Sequence, residues 1–383
     1  MEDPEGRLLL EKEEEIPLRI TQKQYETQDK HLFSFQNLIP VISGNHTLFL
    51  LLKNKTARDF TSHQREIHVP EPAGTSSLSP LLLYHGRERI GGAQSLRAFS
   101  FSGTHYLVNS ENNFLPDEEM GVFCQVYNLE NLAAETLQLQ IVSTTEVQPI
   151  FTKSFPINET LEIQGKSLDT GPIPLSSLNP GYYSLELAIL DQKGEKLLSK
   201  SENFILLAQA FPVIPWVFSK QHLPFPSSGH LYALASQYFL ASNYNQARSA
   251  LEQALNMQED PNARLLLGKT LYAQQDYQGS LKTVQTLYQT TGNRETAKLI
   301  ALNHVALKEW AQGVIYLEKL LESSVEIGVL NLAGECYNNL KQPEKALPVL
   351  QKSLDLNPDQ PNIKQLLQQI KNVIEKKGNK PNS

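Results

Sequence analysis

His63 and His68 stand five residues apart, and two imidazoles at short spacing are the first arrangement to test for a bound metal. In an extended strand, five positions put the rings on opposite faces, so they do not converge on one ion. The nine histidines are otherwise scattered, and neither a His-Glu-x-x-His nor a Cys-x-x-Cys pair accompanies them. Acyl transfer through a nucleophile elbow would need Gly-x-Ser-x-Gly, which is missing. Gly91-Gly92 has neither the Walker lysine nor a following helical pattern and reads as a turn. Cys124 and Cys336 fall in different expected domains, so each reads as a small buried apolar residue and not as half of a disulfide. No catalytic residue, metal ligand or cofactor is expected. The chemistry that remains is recognition by amides, lysines and aromatic rings.

Those groups must be positioned by helices. Ala247, Ser280, Gly313 and Ala346 recur at intervals of 33, and three residues before them stand Tyr244, Tyr277, Trp310 and Pro343. Four residues after them come Leu251, Val284, Leu317 and Leu350. A small residue at a fixed period, with large apolar neighbours, marks the close crossing of two helices in a repeated hairpin. One such hairpin cannot bury its apolar face, so successive hairpins stack and share a core. Ile363, Leu366, Leu367, Ile370, Val373 and Ile374 then form the stripe of one more amphipathic helix, a cap for the stack.

The pattern resembles the tetratricopeptide repeat (TPR). Its first helix asks for a large residue, a small one and an aromatic, supplied by Leu234, Ala235 and Tyr238 and by Ala333, Gly334 and Tyr337. Repeat two has Leu267, Gly268 and Leu271, and repeat three has Ile300, Ala301 and His304, the weakest match. His304 is expected as a packed core histidine, and the closing proline stands in place only as Pro358. The resemblance implies a groove lined by the first helices, where an extended protein or peptide segment binds. Carried over, its residues are Tyr232, Ser236, Phe239, Asn262, Lys269 and Tyr272, then Lys298, Asn331, Glu335, Asn338 and Asn339. Amides and lysines there would hold a peptide backbone or carboxylate, and the rings would anchor apolar side chains. Tyr232 and Ser236 replace the lysine and asparagine of chaperone-tail binders, so that specificity is not implied.

Composition narrows the partner. A net charge of −7 in 383 residues lacks the basic density that neutralises phosphates, so no nucleic acid is expected. No run of eighteen apolar residues provides a transmembrane segment. Met1 to Leu10 is acidic and has no signal-peptide pattern, which points to the cytoplasm if Met1 is the biological start. If the chain is the later part of a longer protein, an extracytoplasmic place is favoured.

Upstream of the repeats the period changes to two. Tyr183, Leu185, Leu187 and Ile189 alternate with polar or small residues between Asn179-Pro180-Gly181 and Asp191-Gln192-Lys193-Gly194, a strand and turn of a β-hairpin. Val122 to Val126 and Leu137 to Val142 read as further strands of an immunoglobulin- or fibronectin-like sandwich. A fainter hairpin precedes them, with Leu48, Leu50 and Leu52 before the turn Lys53-Asn54-Lys55. The expected fold is therefore tandem immunoglobulin-like β-sandwich modules followed by an α-helical TPR solenoid. The segments are 1–15, acidic; 16–96, a β-sandwich module short of a complete one; 97–208, an immunoglobulin- or fibronectin-like β-sandwich; 209–227, an apolar Pro-rich linker; 228–360, four repeats; and 361–383, capping helix and tail. The linker, with Trp216 and Phe218, is expected to pack against both neighbours.

Leu38 to Ser62 and Pro215 to Lys220 are similar to segments of bacterial GWxTD domain-containing proteins, although no Gly-Trp-x-Thr-Asp occurs in this chain. That resemblance implies the C-terminal portion of a longer protein or a variant lacking the region. The leading expectation is a non-enzymatic protein-interaction scaffold. Carbohydrate or envelope-polymer binding by the β modules, motivated by Tyr182 and Tyr183, and the non-catalytic part of a truncated enzyme stay open beside it.

Overall fold

The computed structural model describes residues 1–16, 21–22, 26, 33–55, 58–71, 76–90, 97–101, 103–108, 111–129, 132–146, 148–157, 161–162, 167–209, 216–220 and 226–378. Gly91-Gly92 and most of the linker lie outside them, as do the side chains of Trp216 and Phe218. Antiparallel β sheets come first and a helical array follows, the order that the change of period implies. The chain divides into two compact units that do not follow linear order. One comprises Met1–Glu11, Pro40–Ile67 and Pro226–Ser383; the other comprises Lys12–Ile39 and His68–Phe225.

In the β unit, alternation along one strand sets the core. β15 (Gly181–Leu190) pairs antiparallel with β11 (Thr136–Ser143) and β16 (Lys196–Leu206), in register Leu137↔Ile189, Leu139↔Leu187 and Ile141↔Leu185. β12 (Pro149–Pro156) and β9 (Asn113–Phe114) complete a sheet of order β12-β11-β15-β16-β9. A second five-stranded sheet is built on β10 (Glu119–Tyr127), flanked by β14 (Ser167–Pro174) with β13 (Leu161–Glu162) on one side. On its other side lie β4 (Ser77–Leu78) and β5 (Leu82–Tyr84). Val122, Cys124, Leu168 and Ile173 of this sheet share one buried cluster with Leu139, Leu185 and Leu187 of the other. Period-two alternation has thus placed the apolar face of each sheet toward its partner. Tyr183 is buried and stacks on Phe204, whereas Tyr182 is exposed.

A three-stranded sheet, β6 (Gly86–Arg89), β8 (Thr104–Leu107) and β7 (Ser100–Phe101), adds Tyr106 to a cluster with Tyr84 and Phe123. A parallel pair joins β1 (Phe33–Gln36) to β17 (Trp216–Ser219). The two sequence hairpins have different surroundings. β15–β16 lies in the pair of facing sheets, while β2 (Gly44–Lys53) and β3 (Phe60–Val69) form a two-stranded ribbon. Residues 16–96, expected as one module, are therefore divided between the units, because the base of the ribbon finds apolar partners on a helix.

Nine helices follow among the described residues: α1 (Ser228–Leu240), α2 (Tyr244–Met257), α3 (Pro261–Ala273), α4 (Tyr277–Thr291), α5 (Arg294–Ala306), α6 (Trp310–Ser323), α7 (Ile327–Asn339), α8 (Pro343–Leu356) and α9 (Pro361–Gly378). Ala247, Ser280, Gly313 and Ala346 are all buried in the second helices of the four hairpins. Opposite them the first helices carry Ala235, Gly268, Ala301 and Gly334. A Cβ on Gly268 would collide with Val284, and one on Gly334 with Leu350, so those crossings are closer than an alanine allows.

Each hairpin turns at the same place. Ser242, Gln275, Lys308 and Lys341, again 33 apart, adopt left-handed φ of 61, 65, 60 and 60°. At each turn the left-handed residue's N–H returns to the carbonyl three back, and the next N–H to the carbonyl five back, as in Ser242 N to Phe239 O and Asn243 N to Tyr238 O. Glycine is the usual occupant because L-residues pay for this conformation, and none of the four is glycine. Lys308→Gly with Lys341→Gly is expected to raise unfolding stability by roughly 0.5–1 kcal/mol per site, measured by urea titration. In the β unit, a Cβ on Gly121 would enter the Tyr84 ring. Gly121→Ala is expected to cost about 1–3 kcal/mol by the same measurement.

Candidate functional site

The residues expected to line a groove stand on the first helices, where spacings of three and four keep side chains on one face. On α1, Tyr232 is half-buried against a cluster containing Ala235 and Leu251. Ser236 Oγ donates to Tyr232 O at 2.9 Å, a bond internal to the helix. Phe239 and Tyr244 meet across the turn, their centroids 5.7 Å apart, and Tyr272 meets Tyr277 at 5.3 Å in the next repeat. Asn262 is exposed at the start of α3, where Asp260 caps the helix by accepting from the Asn262 and Ala263 N–H groups. Tyr232, Ser236, Phe239, Tyr272 and Asn262 all keep part of their surface in water.

The charged and amide members divide into two groups. Lys269 Nζ reaches Glu295 Oε2 at 3.3 Å, a solvent-screened pair on adjacent first helices. Lys298 Nζ donates to Glu326 Oε2 at 2.9 Å, and Arg294 holds Oε1 of the same carboxylate at 2.7 Å. These bonds from Arg294 and Lys298 lower the Glu326 carboxyl below its usual range. Arg294 also donates to Leu320 O at 2.8 Å, so the cluster fastens repeat three to the start of repeat four. Asn331 is consumed in the same way. Its Nδ2 donates to Gln360 Oε1 at 2.8 Å and its Oδ1 accepts from Ser353 Oγ at 2.6 Å, joining α7, α8 and the approach to α9. Glu335 and Asn339 are exposed, with Asn339 Nδ2 on Glu335 O at 2.9 Å, and Asn338 is half-buried.

Two further polar devices were invisible to the repeat pattern. Ser280 occupies the small-residue slot, yet its hydroxyl donates to Gly268 O and accepts from Asn303 Nδ2, each at 2.8 Å. The slot therefore carries a buried hydrogen bond between repeats two and three as well as a close contact. On α1, Gln237 is fully buried; its Nε2 donates to Pro40 O at 2.8 Å and its Oε1 accepts from Ile42 N at 3.2 Å. One side-chain amide thus pairs with an extended backbone as a strand would. Around it Met1, Leu9 and Ile42 pack with Leu234 and Tyr238, covering the side of α1 that has no preceding repeat.

A buried carboxylate elsewhere has the composition of a catalytic site. Asp169 Oδ1 accepts from Tyr84 OH at 2.5 Å and Gly171 N at 2.9 Å, while Oδ2 accepts from Arg87 and from Tyr106 OH at 3.2 Å. Burial, then the Asp169 bond and charge, raises the Tyr84 hydroxyl far above its ordinary range. With four donors on two oxygens the carboxylate is saturated, and it braces β14 against the sheet carrying Arg87 and Tyr106. His63 and His68 are exposed on β3, and among the described residues no group of three His, Cys, Asp or Glu side chains could hold a metal. His304 is buried, stacked on Tyr316 with its Nδ1 2.6 Å from Glu309 Oε2. Cys124 and Cys336 are free and buried, and burial pushes their thiols up to about 12 and about 11.

With this geometry in place, residues 232–294 and 327–360 match models of the tetratricopeptide repeat. The interval between the matches is repeat three, whose helices α5 and α6 nevertheless occupy the array as the others do. No curated protein matches the chain. Among solved structures it is similar to MamA (residues 41 to the end) of Desulfovibrio magneticus RS-1, 18% identical over 39% of this chain and 85% of that one, TM-score 0.37. It is also similar to the C-terminal part of a TPR repeat-containing protein from Cytophaga hutchinsonii, 15% identical over 41% and 63%, TM-score 0.36. A chain of the APC/C hetero-tetramer Cut9–Hcn1 is 21% identical over 38% and 30%, TM-score 0.34.

Asn331→Ala removes one hydrogen bond each from Ser353 Oγ and Gln360 Oε1 and is expected to cost about 1–3 kcal/mol in chemical unfolding. For Glu326 the lowered carboxyl means its contribution is full above the unfolded-state value and fades as pH falls through the folded one. Glu326→Gln should therefore flatten the loss of stability on acidification, read by circular dichroism during an acid titration.

Proposed function

We propose that this protein is a non-enzymatic interaction scaffold whose four-repeat array binds an extended segment of a partner protein along its first helices. The observation that supports the reading most is the partial exposure of Phe239 and Tyr272 at equivalent places on α1 and α3, with Tyr232 a further half-exposed ring on α1, beside the exposed Asn262 and the solvent-facing Lys269. Aromatic rings give apolar anchoring at low entropy cost, and the amide and ammonium supply donors to a peptide backbone or carboxylate. Toward repeat four the role shifts. Lys298 and Asn331 hold neighbouring repeats together, so recognition is concentrated on repeats one and two, with Glu335, Asn338 and Asn339 forming a second, acidic and amide-rich end.

In this reading residues 228–360 are the binding element, 361–383 close it, and the β region serves as a module of the same protein. An immunoglobulin-like character for that region is supported by the Tyr183 hydroxyl, which bonds back to Asn179 O near the start of β15, as a tyrosine corner does. The kinship with bacterial GWxTD-containing proteins rests on Leu38 to Ser62 and Pro215 to Lys220 and is part of the same proposal. The polymer-binding alternative retains Tyr182 as an exposed ring, since Tyr183 is buried.

A displayed random-peptide library selected against the full chain tests the proposal. Enriched peptides should bind the wild type and lose at least about tenfold in affinity for the Asn262→Ala, Lys269→Ala variant, a loss of roughly 1.4 kcal/mol, while its unfolding curve stays close to wild type. Absence of enrichment, or equal binding by the variant, would count against the first-helix face.

A further inference from the structure

The hairpin β2–β3 has its base in a core and its far half in water. Leu48 and Ile67 pack with Met1, Leu9 and Ile42. Beyond them Phe49, Leu50, Leu51 and Leu52 are all about half exposed, and Phe60 is 72% exposed. Side chains alternate along a strand, so Phe49 and Leu51 stand on one face of the ribbon and Leu50 and Leu52 on the other. A protein surface docked on one face would leave the other apolar pair in water. Across the ribbon, residues 61–66 of β3 are polar and exposed. The ribbon is amphipathic from strand to strand, not from face to face.

Its turn is charged. Asn54 N donates to Asp59 O at 2.8 Å and Arg58 N to Asn54 O at 2.9 Å. This closure sets Lys53, Lys55 and Arg58 around a concavity of about 440 Å³, with Asn54, Asp59 and Phe60 completing its wall. Three cations and one carboxylate gather here in a chain whose net charge is −7. Apolar side chains along one strand, with cations at its end, are complementary to phosphate headgroups lying over acyl chains.

We propose that the β2–β3 hairpin docks on an anionic bilayer surface. The edge of β2 lies at the boundary of headgroups and acyl chains, and Lys53, Lys55 and Arg58 meet lipid phosphates. Lipid surrounds an entering edge from both sides, which covers both apolar pairs at once. At this shallow depth water still reaches the outer backbone of β2, which a deeper position would leave unsatisfied. The stems of the lysines and arginine lie along the apolar side chains while their heads reach outward.

Flotation of the full chain with vesicles tests the proposal. Binding is expected to phosphatidylcholine mixed with phosphatidylglycerol, weakened by salt, with little to phosphatidylcholine alone. Replacing Lys53→Gln, Lys55→Gln and Arg58→Gln together should weaken it on the order of a hundredfold. Leu51→Ser with Phe60→Ser should weaken it at least about tenfold without moving the unfolding midpoint, because both side chains are already exposed. No flotation with either vesicle, equal flotation with neutral vesicles, or unaltered binding by both variants would overturn the proposal. Sedimentation velocity without lipid should show a monomer. A dimer dispersed by Leu51→Ser with Phe60→Ser would assign the hairpin to a second copy of the chain and overturn it equally.

Discussion

A stack of helical hairpins depends on close crossing within each hairpin. Here the approach is so tight that two of the four first helices have glycine at the crossing, where a methyl group would strike Val284 or Leu350. The crossing fixes the angle between the two helices, and the angle repeats every 33 residues. Everything else in the helical unit follows from that repetition. The first helices fall in a row, their exposed residues share one side, and the ends of the stack are left with apolar surface that water would penalise.

The two ends meet that demand differently. At the C-terminal end α9 buries Leu367 and Ile370 against the last repeat and turns its other face to solvent. At the N-terminal end the cover comes from Met1–Glu11 and the base of the β2–β3 ribbon, joined to α1 through Gln237. A glutamine suits this place because its amide carries both a donating nitrogen and an accepting oxygen, which meet the carbonyl of Pro40 and the N–H of Ile42. Were either of those backbone groups left alone beside a buried apolar side chain, the desolvation cost would be of the order of 1–3 kcal/mol.

What could be read from the sequence was what repeats. The small slot, its large neighbours and the amphipathic stripe at 363–374 are periodic, and periodicity survives substitution at any one position. The strand Tyr183 to Ile189 was legible for the same reason, as was the burial of His304, which fills the aromatic slot of repeat three. The turns kept their left-handed geometry without glycine, so the usual stop signal was missing while the conformation was not. Contacts between distant segments had no periodic trace. Gln237 looks like any polar helix residue until Pro40 and Ile42 are placed beside it, and Asn331 looks like a groove residue until Ser353 and Gln360 claim both ends of its amide. The first β module was expected from a resemblance between hairpins, but a hairpin's sequence does not state which surface its apolar side will meet.

The division between residues that hold the array and residues that remain available is the central claim. Hydrogen exchange read by mass spectrometry, with and without a saturating selected peptide, tests it directly. Protection should increase along α1 and α3, extend to a smaller degree into α5 and α7, and leave α2, α4, α6 and α8 and the strands β11, β15 and β16 unchanged. Protection centred on the second helices or on the β unit, with α1 and α3 unaffected, would contradict the account.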